Sequence, residues 1–230
     1  MYQRELAHIN NLMGPTVKTL VSSGAIIAGG AITSIFSGSK INDFDIFFRT
    51  QSDLEKALAS VPHDDKTIVT DCATSFIADG HRVQLIRVLT GEPKAIIRLF
   101  DFTICQAAYD GKQFFFGPDF MHHLAQRRLV FNIEAEFPVC SLYRALKFVK
   151  RGYQLSGMEA VKLGLRIQSL KIVTYADLRR QLMGIDTLFL KDLTDSLAGK
   201  AEKSYDLNEF LSMMEEWLNA TAAATGLGDE

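Results

Sequence analysis

Apolar positions recur at near-helical spacing over the first twenty residues. Leu6, Ile9, Leu12, Val17 and Leu20 mark one face of a helix over 2–22, broken or kinked at Gly14-Pro15 and stopped at Gly24. Two apolar runs follow, predicting strands over 25–29 and 41–49 with a short helix over 31–36 between them. Ser52-Asp53 is the expected cap of the next helix, through about Ser60. Short strands are predicted over 67–69 and 75–77. A clearer one spans 82–88, with Val83, Leu85 and the aliphatic part of Arg87 on one face and Gln84, Ile86 and Val88 on the other. Residues 92–100 fit a helix and 102–109 a strand. Asp110-Gly111 turns a hairpin whose second arm is 112–116, and Gly117-Pro118 ends the sheet region. From Asp119 the pattern turns helical, over 119–128, 139–153, 157–170, 174–184 and 206–223, with a small, polar, frayed tail after Ala222. The expectation is an α+β chain in two parts, a mixed head over 1–135 and a small helical domain over 136–230, joined softly at 133–138.

The chain is organised around Ile26 to Phe48. An apolar run enters Gly29-Gly30, and Asp43-Phe44-Asp45 opens a second run, Ile46-Phe47-Phe48. Strand alternation puts the two aspartates on one face and Phe44 on the other. Neighbouring carboxylates repel unless a cation sits between them. Hard cations such as Mg2+ take one or two carboxylates together with phosphate oxygens. A Gly-Gly pair lets backbone amides approach a phosphate closely, and a helix opening right after it aims its N-terminal amides at an anion. The combination predicts a site for a metal-bound nucleoside triphosphate. Isolated Asp-x-Asp and Gly-Gly pairs are commonplace in turns; the apolar strand around this one and the fixed spacing between the pairs set it apart.

Composition narrows the setting. At 230 residues and 47% hydrophobic content the chain can bury a real core. No apolar run approaches the roughly 20 residues of a membrane span. The first residues, MYQRELAHINNLM, carry charges of both signs and lack the apolar stretch of a signal peptide. Cys72, Cys105 and Cys140 are widely spaced, make no metal-binding pattern and read as core residues of a reducing, cytoplasmic compartment. The net charge of −2 hides an asymmetry. Residues 121–180 hold eleven Lys or Arg against four Asp or Glu, whereas 181–230 hold three against ten. A basic middle suits phosphate, from a nucleotide or a nucleic acid, unless it only packs against the acidic tail.

The order of motifs resembles a known family. Gly29-Gly30 followed by Asp43-x-Asp45 looks like the signature of the DNA polymerase β-type nucleotidyltransferases. Asp101 to Gly111 (DFTICQAAYDG), Gly117 to Leu129 (GPDFMHHLAQRRL) and Tyr143 to Tyr153 (YRALKFVKRGY) resemble successive motifs of class II CCA-adding enzymes and bacterial poly(A) polymerases. The resemblance implies a polymerase β-like head, with a mixed or antiparallel sheet flanked by helices, followed by a helical neck. It also implies Mg2+-dependent transfer of a nucleoside monophosphate from an NTP, ATP or CTP, to a hydroxyl, with release of pyrophosphate. Asp43 and Asp45 would bind the metal ions of a two-metal mechanism. Asp101, expected to open an apolar strand beside them, is the candidate third carboxylate, ahead of Glu92 and Asp71. Gly29, Gly30, Ser34 and Lys40 would meet the phosphates, with Ser37 and Ser39 as further hydroxyls nearby. Arg144 and Lys147, one helical turn apart, would contact the nucleotide. Arg127 and Arg128 would reach the phosphates of an RNA.

Departures from the family accompany the likeness. Leu99 and Phe100 stand where the family has arginines, Thr33 where it has another, and Ser141 where it has an acid that helps read the base. The stretch after residue 153 is shorter than the family's tRNA-holding region, so an acceptor other than the tRNA end is expected. An RNA 3′ end, a protein side chain and a small molecule all stay open, as does a module that binds nucleotide or RNA without chemistry. No histidine spacing suggests zinc; His63, His81 and His122-His123 read as loop, strand-end and helix residues. Trp217 reads as core or an oligomer face, and Phe114 to Phe116 as core rather than a base-stacking platform.

Overall fold

The computed structural model describes residues 2–62, 66–182 and 195–225. His63, the last residues of the helix expected over 174–184, and the end of the polar tail lie outside the described residues. The chain divides into two compact units. One comprises Met1–Glu136 with Ala145–Leu163, the other Phe137–Arg144 with Gly164–Glu230.

The first unit is built on a seven-stranded mixed sheet, ordered β3-β4-β5-β2-β1-β6-β7. Its strands are β1 (Ile26–Ala28), β2 (Asp43–Phe48), β3 (Ile68–Val69), β4 (Ala73–Ala78), β5 (His81–Thr90), β6 (Ala107–Tyr109) and β7 (Phe114–Phe116). All neighbours are antiparallel except β2 and β5, which run parallel. A parallel pair needs a long crossover, and the chain between β2 and β5 supplies it through helix α4 (Gln51–Leu58), β3 and β4. Asp110 makes the β6–β7 turn: its carboxylate accepts the Lys112 and Gln113 amides, each at 3.0 Å.

Alternation decides the two faces. Phe44, Ile46 and Phe48 of β2 with Val83 and Leu85 of β5 lie buried toward one side. Helices α1 (Gln3–Leu12), α2 (Pro15–Ser22) and α3 (Gly30–Ser37) belong to the same layered core, with Ile9, Val17 and Ile32 buried. The break expected at Gly14-Pro15 is present, and it is fixed from a distance. The Asp79 carboxylate accepts the Thr16 amide at 2.9 Å, and a Cβ on Gly14 would collide with the Asp79 side chain. The other face carries a smaller apolar patch, Ile26, Ala28, Phe47 and Ala108, under helix α5 (Pro93–Arg98) through Ile96 and Ile97.

Three local expectations are corrected. The cap of α4 is Thr50, whose hydroxyl accepts the Asp53 amide, rather than Ser52-Asp53. The stretch 102–109 is not one strand: Thr103–Cys105 is a 3₁₀ turn and only Ala107–Tyr109 pairs. Helix α6 (Phe120–Ala125) stops before residue 128, because Arg127 turns to φ +50° and starts β8 (Arg128–Leu129), which pairs in parallel with β9 (Gln154–Leu155). Of the three cysteines, Cys105 and Cys140 are buried and Cys72 half-buried.

Helix α7 (Pro138–Lys150) is shared by the two units, and α8 (Gly157–Gln168) begins in the first and ends in the second. The second unit has its own core of Cys140, Tyr175, Leu178, Leu182, Leu197 and Phe210, with Trp217 partly buried against it. Its helix α9 (Tyr175–Leu182) starts with a reciprocal cap. The Thr174 hydroxyl accepts the Asp177 amide at 3.2 Å, and the Asp177 carboxylate accepts the Thr174 and Val173 amides at 2.9 and 3.0 Å. None of the described helices is long and apolar enough to cross a membrane.

Candidate active face of the sheet

Strand β2 places Asp43 and Asp45 on the face that carries Phe47, opposite the buried Phe44 and Ile46, and leaves both half-buried. This face can be read row by row, since residues paired across a ladder share a side. One row runs Phe115, Ala108, Ala28 across β7, β6 and β1. It continues through Asp45, Gln84, Ser75 and Ile68 on β2, β5, β4 and β3. The β1–β2 register, Ile26 with Phe47 and Ile27 with Ile46, brings Ala28 next to Asp45. The next row holds Asp43, Arg82 and Ile77. The acidic pair therefore sits where β1 ends in Gly29-Gly30, flanked on its other side by Arg82 and Gln84.

Gly29 has φ +78°, and its amide donates to the Ala107 carbonyl at 2.9 Å. Gly30 opens α3 with nothing within 4 Å of where a Cβ would stand, and no side chain caps that helix. Free amides and clear space at a helix start form an anion-accepting end. Thr33, buried at 4% exposure, donates its hydroxyl to the Ile104 carbonyl at 2.7 Å and lies 3.1 Å from the Gly29 carbonyl, fastening α3 to the 3₁₀ turn. Ser34 is half-buried one turn into α3, and Lys40 is exposed in the loop leading to β2.

Asp101 does not open a strand beside the pair. It follows Phe100, its carboxylate accepts the Phe102 amide at 3.0 Å, and its carbonyl accepts the Asn132 amide at 2.7 Å. The Asn132 side chain in turn donates to the Arg98 and Phe100 carbonyls at 2.8 and 3.0 Å. Among the described residues no group of three or more His, Cys, Asp or Glu is placed to hold a metal, so Asp43, Asp45 and Asp101 form no such group. Glu92 caps α5 and pairs with Arg49 at 3.3 Å, and Asp71 is exposed at the start of β4. Arg144 and Lys147 are both half-buried on α7, with the division between units falling just after Arg144. Arg127 and Arg128 are exposed beside α6. His123 meets Thr103 Oγ1 at 2.8 Å through Nδ1, and burial holds its pKa below the usual imidazole range. Arg82 and Gln84 are the neighbours of the acidic pair that sequence reasoning missed. Only the register of two parallel strands some forty residues apart brings them there.

Residues 4–127 match the Gabija anti-defense 2 (Gad2) family. The chain belongs to that family. It is 38% identical over 176 residues to "Gabija anti-defense 2" of Bacillus phage SPbetaL7, an alignment covering 74% of this chain and 44% of the phage protein. The chain thus spans less than half the length of that relative. Its fold is that of the CCA-adding enzymes. A Thermotoga maritima CCA-adding enzyme complexed with tRNA superposes with a TM-score of 0.54 at 15% identity, over 93% of this chain and 53% of the enzyme. A CCA-adding enzyme in complex with ATP gives 0.54 at 16% identity, over 85% and 53%. The Bacillus stearothermophilus enzyme in complex with CTP gives 0.51 at 18%, over 77% and 49%.

Proposed function

We propose that this Gad2-family chain is an Mg2+-dependent nucleotidyltransferase that moves a nucleoside monophosphate from ATP or CTP to a hydroxyl acceptor. The observation that carries the reading is the half-exposed pair Asp43 and Asp45 on the sheet face where β1 ends in Gly29-Gly30. The shared fold with CCA-adding enzymes, solved with ATP, CTP and tRNA, supports the substrate class.

The donor set fits the metal. Two carboxylates on one strand face, with room left for phosphate oxygens, suit Mg2+ better than a closed protein cage. Bound between Asp43, Asp45 and a triphosphate, Mg2+ would supply charge neutralisation and polarisation of the phosphates. The chain does the rest. The open amides of α3 receive the phosphates, helped by Ser34 and Lys40. Arg82, across the ladder from Asp43, adds a cation at the edge of the same site. In the reaction the acceptor oxygen bonds to the α-phosphorus as the bond from that phosphorus to the bridging oxygen breaks. The hydroxyl proton passes to solvent and pyrophosphate departs. The names of the family and of its phage relative fit an acceptor drawn from a host defence, protein or small molecule, alongside an RNA end.

A second reading, nucleotide binding without transfer, has its own observation. Among the described residues no acid stands beside the pair across the ladders: the partners there are Ala28, Arg82 and Gln84. One experiment separates the two. The four α-labelled NTPs with Mg2+ are incubated with cellular RNA or cellular protein, beside Asp43→Asn/Asp45→Asn protein. Incorporation that vanishes in the variant establishes transfer and names the nucleotide and acceptor class. Metal-dependent NTP binding without incorporation establishes the binding module. Absence of both removes the nucleotide reading.

A further inference from the structure

A cavity of about 280 Å³ opens in the first unit at the far end of α3. Phe36 and Tyr153 give it aromatic walls, Met121 and Leu124 aliphatic ones, and Arg127 stands at its edge. It lies on the opposite side of the sheet from the acidic pair. Phe36 packs against Phe114 and Phe116 at 5.1 and 5.2 Å between ring centres, whereas Phe115 belongs to the row that leads to Asp45.

The walls and the edge make different demands. Tyr153 is 8% exposed and packs edge-on against Phe148 at 5.5 Å between ring centres, so the ring is held in place. The Arg127 guanidinium lies 5.9 Å from the centre of that ring and donates to the Arg151 carbonyl at 3.3 Å. Arg128, Lys150 and Arg151 are exposed close by in sequence or across the β8–β9 pair. Among the described residues none of these four cations pairs with a carboxylate. A slot with aromatic and thioether walls takes a planar ring, and a guanidinium edge lacking acids takes an anion, best a phosphate. The volume of about 280 Å³ lies just below the usual range of ligand pockets, roughly 300–1,000 Å³, which suits one nucleotide rather than a dinucleotide.

We propose that this cavity is a second nucleotide site, taking a base between Phe36 and Tyr153 with its phosphate on Arg127. The proposal stands independently of transfer at the acidic face. The ligand is either a free nucleotide or one nucleotide of a single-stranded RNA.

The test is calorimetric titration of the full chain with AMP and with a twelve-nucleotide oligoadenylate, in EDTA so that metal-dependent binding at the acidic face is silent. The variants are Ala125→Trp, which fills the cavity from an exposed wall position, and Arg127→Ala. Binding of either probe, weakened at least tenfold in both variants and unchanged in Asp43→Asn/Asp45→Asn, is expected. AMP binding assigns a free nucleotide, and oligoadenylate binding alone assigns RNA. Binding of neither probe, binding indifferent to both cavity variants, or loss in the aspartate variant overturns the proposal. Thermal melts establish that the variants fold; if Ala125→Trp does not, Arg127→Ala decides.

Discussion

The ring of Phe100 lies against Gly29: a Cβ on that glycine would stand 3.2 Å from the ring. The same glycine has φ +78° and ψ −132°, a sparsely populated region that costs an L-residue roughly 1–3 kcal/mol. Gly30, its neighbour, has ordinary helical geometry and open space in front of it. Gly29→Ala should therefore destabilise the chain by about 2 kcal/mol or more. Gly30→Ala should leave stability nearly unchanged while weakening NTP binding, because its methyl would occupy the proposed phosphate approach. Chemical denaturation and nucleotide titration of the two variants check the contrast. Equal behaviour would sink the division of labour between the two glycines.

On the proposed function, Asp43→Asn and Asp45→Asn should each lower transfer on the order of a hundredfold or more, since each removes one of the two proposed charged ligands of the metal. Asp43→Asn should not lower the melting temperature, because it relieves repulsion within a half-exposed pair of like charges. Arg82→Gln, by contrast, should raise the KM for NTP several-fold with a smaller effect on kcat, as expected of a group that holds phosphate. Steady-state pyrophosphate release distinguishes the two patterns.

The acidic pair was legible because its signal is local. Period-2 alternation from Ile41 to Phe48 fixes which face each aspartate takes, whatever the neighbouring strands do. The break at Gly14-Pro15 was legible for the same reason. Arg82 was not, since nothing within β5 reveals that it stands beside Asp43. The single strand expected over 102–109 misled because the run is mostly apolar and its two polar residues, Thr103 and Gln106, do not alternate. Burial from all sides erases the alternation that separates a strand from the 3₁₀ turn at Thr103–Cys105. Arg127 was expected at the end of a helix. A two-residue strand pair has no periodicity to announce it, and β8 and β9 are joined only by tertiary structure.

Thr33 stands where the resembled family has an arginine, and here it serves the scaffold. Its hydroxyl is buried with two carbonyls, those of Ile104 and Gly29. Thr33→Val keeps the shape and leaves the Ile104 carbonyl without its donor, while the Gly29 carbonyl keeps the residue-33 amide at 3.1 Å; the loss should cost about 1–3 kcal/mol. Thr33→Arg should cost more, because a long cation would have to enter a buried position without a carboxylate partner nearby in sequence. Urea titration orders the three proteins, and the order wild type, Val, Arg is the expected one.

Acid should weaken the second unit through two carboxylates. The amides of Thr174 and Val173 hold the Asp177 carboxyl below the usual range, the Thr174 amide most strongly. Lys200 first, then Tyr175, does the same for Glu209, with the Lys200 ammonium 2.6 Å from one carboxylate oxygen and the Tyr175 hydroxyl donating to the other at 2.9 Å. A folded-state pKa below the unfolded one means that the native state prefers the ionised form. The stabilisation is therefore complete above the unfolded value, roughly 4 for these side chains, and fades as pH falls through the lowered folded values. Thermal melts of wild type, Asp177→Asn and Glu209→Gln between pH 7 and pH 3 measure it. The variants should melt lower than wild type at pH 7, and the gap should close toward pH 3. A gap that stays constant with pH would show that the charged hydrogen bonds contribute through shape rather than ionisation.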